Sequence, residues 1–464
     1  MARIWNFLVS GSTMLLGSDL ARRSAIVLFI RALNVLFALG LSIVLIRSLG
    51  LAGYGLYAVY ISIFSLVVLP LTSGMPNFIV KEVAPMFAER NGGEIKAVML
   101  FFLRTAAIYM VLVAIVLGAL WYLRIGREYR GFAILMWGHA AIQILNAGRS
   151  ALLRAVGRIV KGQLAERLIQ PALTLGLTAG GSIVLGKAFT PIDAIVALLI
   201  SGSVTLALGG YWIRQDLGEL VSEAVRTSQR RDWPKEVVNL SGVGLLGSAF
   251  VNGVVLIVGF AGSLETAGIY RVASAVAVVL NYLQEVMVQV VAPRVAQLWS
   301  VRDRDGLVRV LVTGAIFNSA AIGLGTGVII AFGSDILALA YGPAYRAAYT
   351  ALVILAFANL AYALGGYREL LLNMSGHARE ALKVFGVLVP LGLLFCAIGV
   401  RADGQAGAAA AVLAFQLATS IWLTVTTVKL TGIDPSIFGI VRKPLTRRQG
   451  IVSVRDDLSQ QGDS

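Results

Sequence analysis

Apolar residues along this chain come in long runs separated by short polar gaps, without the strict alternation of a half-buried strand. Twelve runs stand out, at 25–46, 53–75, 97–123, 131–153, 164–186, 192–213, 237–260, 268–291, 307–332, 347–373, 381–400 and 404–428. A helix of about 20 apolar residues crosses the roughly 30 Å of hydrocarbon in a bilayer. Inside lipid every backbone N–H and C=O needs a partner within the protein, which leaves helices or closed barrels. Barrel strands alternate over about ten residues, and these runs are too long and too continuous for that. The pattern predicts an all-α polytopic membrane protein with twelve transmembrane helices.

Composition agrees. Of 464 residues 58% are hydrophobic and 14% charged, where soluble chains carry about 25% charge. Mean hydropathy is +0.83. The first 24 residues lack a small-residue cleavage site after a clean apolar core, so they read as an uncleaved interfacial segment. Cys396, the one cysteine, lies inside the eleventh run and has no partner for an intrachain disulfide.

The runs repeat. Gly126, Tyr129 and Arg130 in IGREYRGF have the order of Gly342, Tyr345 and Arg346 in YGPAYRAAY. Arg149, Leu152, Leu153, Gly157 and Pro171 fall on Arg368, Leu371, Leu372, Gly376 and Pro390, all 219 residues later. Gly55-Leu56-Tyr57 falls on Gly268-Ile269-Tyr270, and Val83-Ala84-Pro85 on Val291-Ala292-Pro293. Runs one to six therefore reappear as seven to twelve. Six is even, so the halves point the same way, related by an axis along the membrane normal around a central cavity. The expected organisation is an N-terminal segment 1–24, a six-helix bundle 25–213, a linker 214–236, a second six-helix bundle 237–428 and a basic tail 429–464.

Lysine and arginine set the orientation. They crowd one side, at Arg22, Arg23, Arg226, Arg230, Arg231, Lys235, Arg302, Arg304, Arg442, Lys443, Arg447 and Arg448, and are sparse in the opposite loops. Basic loops stay in the cytoplasm, which puts both termini there in an inner-membrane protein. The net charge of +15 is then a topology signal that favours anionic lipid, and nucleic acid is not expected as a partner.

Enzyme chemistry is hard to find. Two histidines, His139 and His377, belong to no metal-spaced cluster. GSIVLGKA at 181–188 imitates a phosphate loop, but Ala188 stands where Ser or Thr would hold magnesium, and no strand precedes it. No ATPase domain or cofactor is expected, so energy must come from an ion gradient, the substrate gradient or a partner. The polar residues within the runs carry the remaining signal, because intramembrane charge marks function by default. Arg31 and Asn34 share a helix face. Arg271 and Glu285 lie about four turns apart on one face, with Asn281, Gln284 and Gln289 beside them, and Asn252 belongs to the preceding run. Glu285 is the candidate for coupling to a proton or sodium gradient; equally, it pairs with a buried arginine. Arg149 and Arg368 are repeat-equivalent, and either flank one anionic head group or anchor their helices. Arg104 and Arg167 read as snorkelling side chains.

GYGLYAVYISIFSLV (53–67), LALAYGPAYRAAYTALVILA (337–356) and LLLNMSGHAREALKVFGVLVPL (370–391) resemble the Wzx-type flippases of O-antigen and exopolysaccharide assembly. These belong to the superfamily that also holds the MATE multidrug exporters and the lipid II flippases. The resemblance spans about 20–430. It implies a V-shaped cavity lined by spans one, two, seven and eight, hence Arg31, Asn34, Asn252, Arg271, Asn281 and Glu285. It also implies transport of polyprenyl-diphosphate-linked oligosaccharide amid membrane lipids, with a polysaccharide polymerase or ligase as a further partner; a monomer is expected because pseudo-symmetry completes the cavity within one chain. This chain has no aspartate deep in a span, which puts ion coupling in question. A drug exporter and a non-transporting scaffold are the alternatives.

Overall fold

A computed structural model describes residues 19–122, 130–221 and 232–440. The N-terminal copy of the repeated Gly-Tyr-Arg motif, most of the expected 1–24 segment, the middle of the linker and most of the basic tail lie outside the described residues. The rest is helix: α1 (Asp19–Ser73), α2 (Met75–Ala88), α3 (Gly92–Tyr122), α4 (Arg130–Ala155), α5 (Ile159–Leu164), α6 (Gln170–Leu185), α7 (Pro191–Val221), α8 (Trp233–Ile257), α9 (Leu264–Ser300), α10 (Arg304–Tyr341), α11 (Tyr349–Leu364), α12 (Arg368–Met374) and α13 (Ala378–Thr431).

Nine described segments are long and apolar enough to cross a membrane. Two of them are hairpins. α1 folds at Gly50 (φ 68°) and α13 at Asp403–Gly404. In α13 the arms touch so closely that a Cβ on Gly407 would stand 1.9 Å from the Gly399 carbonyl oxygen. Dividing both hairpins and adding α4 gives the twelve apolar helices that the sequence predicts. One predicted run breaks: 347–373 stops at Leu364, turns through Gly365–Gly366 (Gly366 φ 66°) and restarts as the seven-residue α12. Its apolar composition hides the break.

Chain reversals collect at two ends. Arg47 reaches the end of α10 and Gln405 bonds Ala347, which gathers the reversals near Gly50, 342–348 and 403–404 at one end. Asp216 of α7 pairs with Arg158 (3.4 Å) and Lys161 (2.9 Å), and Phe78 of α2 packs edge-on against Trp233 at the other end. These are the Gly50 end and the linker end.

Duplication is written in the backbone. Gly157 and Gly376 both have φ 79°. Each is followed by a residue whose N–H returns five positions, Arg158 to Leu153 and His377 to Leu372, both at 2.8 Å. This is the left-handed helix cap that glycine favours. Gly186 (φ 53°) and Gly404 (φ 50°) turn the equivalent hairpins. Gly186, the second glycine of the phosphate-loop imitation, is thus a turn residue. Arg90 (φ 52°) and Arg302 (φ 58°) form a third pair, with the same returning bonds, Asn91 to Met86 (2.9 Å) and Asp303 to Leu298 (3.0 Å).

Between the halves, α1 packs along α8 and α9. The repeat-equivalent glycines meet there. A Cβ on Gly55 would lie 1.8 Å from the Leu264 carbonyl oxygen, and one on Gly268 would lie 2.6 Å from that of Leu51. Only residues without side chains permit this approach.

Candidate functional site: a polar stripe beneath a sealed end

The α9 helix carries the site. Arg271, Ser274, Val278, Asn281 and Glu285 follow one another at three- or four-residue steps, so they fall within one face. Off the stripe, Tyr270, Val272, Ala273, Ala277 and Leu280 are buried in protein. At the top of the stripe Arg271 lies against the Tyr54 hydroxyl and close to Tyr57, both on α1. The stripe therefore faces the N-terminal half. Lower down, the same face is open: Asn281 and Glu285 are exposed. A face that touches the opposite half at one end and is open at the other describes a wedge between the halves.

Residues around Arg271 close the Gly50 end. Below the Gly55–Gly268 contact, Ser42 of α1 bonds Tyr341 of α10 at 3.0 Å. Arg47 donates to the last carbonyls of α10, Ala340 (3.1 Å) and Leu339 (2.9 Å). Those carbonyls have no partner in their own helix and form the negative end of its dipole. Tyr341 and Tyr345 pack with ring centres 6.2 Å apart, and so do Tyr54 and Tyr57. Composition alone does not identify Ser42, Arg47 and Tyr341 as seal residues. Tyr54 has a visible sign, since it stands beside Gly55 in the repeated Gly-x-Tyr segment.

Other expected site residues have different surroundings. Asn34 donates its amide to the Arg167 carbonyl at 2.9 Å. That carbonyl is free because Pro171, four residues on, has no N–H to offer, and the chain there widens into the π-turn Ala165–Ile169. Asn34 thus fastens α1 to the π-turn that precedes α6. Asn252 is half-buried and bonds the Ser248 carbonyl of its own helix at 2.9 Å. The Arg31 and Gln289 side chains lie outside the described residues. Glu285 is 21 residues from the start of α9, about 32 Å along the axis, which places it at the linker end of the stripe rather than deep within it.

Arg149 and Arg368 do not flank a common space. Each is buried within its own half, at 5% and 1% exposure. Arg368 donates to the Tyr362 (3.0 Å) and Gly366 (3.4 Å) carbonyls and lies 4.2 Å from the Tyr362 ring centre, while the Tyr362 hydroxyl bonds Glu369. Arg149 lies against Gly209 of α7. No group of His, Cys, Asp and Glu suited to a metal ion occurs among the described residues.

Solved transporters share this fold. An inward-facing multidrug-resistance MATE transporter of the MOP superfamily aligns with a TM-score of 0.69 at 16% identity, over 86% of this chain and 95% of that one. A MATE protein in a straight conformation gives 0.60 at 16% identity, over 88% and 96%. A MOP-superfamily transporter from Pyrococcus furiosus, described as having a binding pocket of reversed polarity, gives 0.59 at 14% identity, over 87% and 93%. No curated protein matches the sequence. Residues 20–299 match the family described as polysaccharide biosynthesis protein; with more than half of its length so matched, and with a multi-pass membrane transporter fold, the chain belongs to that family.

Proposed function

We propose that this protein moves polyprenyl-diphosphate-linked oligosaccharide from the inner to the outer leaflet of the cytoplasmic membrane by alternating access, for surface polysaccharide assembly. The α9 stripe carries this reading: it is polar along a membrane-length helix, capped at one end and open at the other. Both termini face the cytoplasm, so the linker end is the cytoplasmic end and the wedge opens inward. The membrane family supports a glycan cargo, and the fold supports transport.

The chemistry suits such a cargo. A sugar hydroxyl moved into hydrocarbon without a partner costs about 2–7 kcal/mol. A hydrated wedge removes that cost, and the polyprenyl tail stays in lipid at its open side. Asn281 and Glu285 stand at the entrance for sugar hydroxyls, and Arg271 stands at the roof for a phosphate oxygen. A diphosphate that reaches Arg271 competes with Tyr54 for it. Loss of the Arg271–Tyr54 contact loosens the seal, which ties loading to outward opening. Glu285, at the mouth, is the candidate carboxylate for proton or sodium coupling.

Complementation tests the reading. In a strain without its surface-glycan flippase, the parent restores surface glycan, Arg271→Ala does not at equal membrane abundance, and Arg271→Lys restores part of it. Full restoration by Arg271→Ala removes the proposed phosphate role. A second reading, export of small molecules, is favoured by the MATE fold; it is tested in the same strain by drug efflux, which the flippase reading expects to stay at background. For Glu285, equal sensitivity of Glu285→Gln and parent to collapse of the proton or sodium gradient removes the coupling role.

A further inference from the structure

The second copy of the repeated Gly-Tyr-Arg motif lies inside the seal. Gly342 (φ 110°) ends α10, and the Tyr345 N–H returns to the Gly342 carbonyl at 3.0 Å. The short helical turn that follows, Pro343–Ala348, is pinned to the second half on all sides. Arg346 pairs with Asp335 of α10 at 3.6 Å, and Gln405 of α13 donates to the Ala347 carbonyl at 3.3 Å. Just beyond it the Tyr349 hydroxyl donates to the Ile330 carbonyl of α10 at 2.8 Å. Held in this way, Tyr345 is 4% exposed, packs on Tyr341 and lies close to Tyr54 of the first half.

Tyr341 and Tyr345 are satisfied differently. Ser42 donates its own proton to the Leu39 carbonyl at 2.8 Å, so in the 3.0 Å bond across the halves Tyr341 is the donor. The Tyr345 hydroxyl is buried and has no hydrogen-bond partner. Other buried polar atoms among the described residues share that condition, including the Arg149 guanidinium nitrogens and His139 Nε2 inside the first half, but the Tyr345 hydroxyl is the one that lies in the seal. In water a phenol hydroxyl has partners on every side, so closing the Gly50 end strips them without replacement. Because its turn is pinned within the second half, Tyr345 regains partners when the halves separate and not by moving alone.

We propose that Tyr345 is a positioning residue of the seal that keeps it breakable: its ring fills the closed Gly50 end, while its hydroxyl, paired with nothing there, weakens the sealed state against the open one. The seal then has opposed parts. Tyr341 on Ser42, Arg47 on α10 and the Gly55–Gly268 contact hold it, and the Tyr345 hydroxyl loosens it. From the proposed function this takes only that the Gly50 end opens during the cycle; it does not depend on the cargo.

Site-directed labelling in intact cells tests it. In a Cys396→Ala background, Ser274→Cys on the α9 stripe reports opening to a membrane-impermeant maleimide added outside, normalised to total labelling after solubilisation. Tyr345→Phe keeps the ring and removes the unpartnered hydroxyl, so labelling should slow about tenfold, the change in an equilibrium that relieving one buried, unsatisfied group produces. Tyr341→Phe makes the same chemical change beside it but loses a bonded hydroxyl, so labelling should quicken about fivefold. Opposite shifts from one kind of substitution do not arise from general loosening of the packing. Thermal unfolding of purified Tyr345→Phe should match or exceed the parent's. Labelling of Tyr345→Phe at or above the parent rate overturns the proposal, and so does a lower unfolding temperature, which would mean that the hydroxyl has a partner. A parent that never labels from outside overturns it as well, because the Gly50 end then does not open. A parent that labels in this way but restores no surface glycan counts against the proposed function alone.

Discussion

The Gly55–Gly268 contact offers the sharpest perturbation of the seal. A methyl group at Gly55 would sit 1.8 Å from the Leu264 carbonyl oxygen and 2.6 Å from its carbon, and both are backbone atoms that no rotamer change can move. Ordinary contact starts at 3.4 Å, so Gly55→Ala must separate α1 from α9 by about 1.6 Å, an overlap that packed interiors do not absorb. Overpacking of this kind costs about 1–3 kcal/mol. Applied to the sealed state alone, about 2 kcal/mol changes the ratio of sealed to unsealed molecules roughly thirtyfold. Gly268→Ala, at 2.6 Å from the Leu51 carbonyl oxygen, needs about half that separation and should have a smaller effect. Gly118→Ala is the control, because nothing lies within 4 Å of a Cβ there.

The assay uses Cys396→Ala as background and Ser274→Cys, beneath the seal on the stripe, as reporter. A membrane-impermeant maleimide added outside intact cells should label the parent slowly, Gly118→Ala at the parent rate, Gly268→Ala faster and Gly55→Ala fastest. On the proposed function, glycan export should fall in the order of labelling, because a transporter biased outward loads poorly from inside. If Gly55→Ala reaches the membrane in normal amount and labels at the parent rate, the glycines do not hold the Gly50 end closed and the reasoning fails.

Further expectations concern stability in detergent, read by thermal unfolding. Arg149→Met should be neutral or stabilising in lipid-free protein, because it removes an unpartnered buried charge, whereas Arg368→Met should destabilise by about 1–3 kcal/mol by orphaning two carbonyls and a ring contact. Arg302→Gly should stabilise by about 0.5–1 kcal/mol, since φ 58° suits glycine better than a residue with a Cβ. Lys81→Ala should leave thermal unfolding at the parent temperature, because the Lys81–Glu236 pair is open to solvent on the lysine side.

Sequence and structure agree where composition has one physical consequence. An apolar run of membrane length must be a helix, so α3, α4, α7 and both arms of α13 are legible. The duplication is legible partly because Gly157 and Gly376 answer a backbone demand that few other residues meet; the Gly186–Gly404 pair answers the same demand but emerges only from the backbone. The Arg90–Arg302 pair answers the same demand with a residue that gives no warning. Partners distant in sequence leave no local trace. Asn34 meets Arg167 across 133 residues and Ser42 meets Tyr341 across 299, and no pattern in either neighbourhood points to the other. Arg149 and Arg368 show the same limit differently: their flanking sequences align, yet one helix breaks and the other continues, so equal residues have unequal surroundings.

That divergence follows from where each residue stands relative to the repeat axis. Residues beside the axis face their own copies, so Gly55 and Gly268 must both be small for either to be useful, and they remain alike. Residues away from it face unrelated neighbours and diverge. The stripe has diverged furthest. With the offset that relates Gly55 to Gly268, Arg271, Asn281 and Glu285 correspond to Ala58, Val68 and Thr72 on α1, of which Ala58 and Val68 are buried and apolar. The polar stripe of α9 therefore has no counterpart at the equivalent positions of α1. On the proposed function, an anionic group gripped by Arg271 travels with one half as the halves rock, and its release requires no second set of charges to let go. On that reading Arg271, with no repeat-equivalent cation opposite it at Ala58, holds such a cargo firmly enough to be carried and loosely enough to leave.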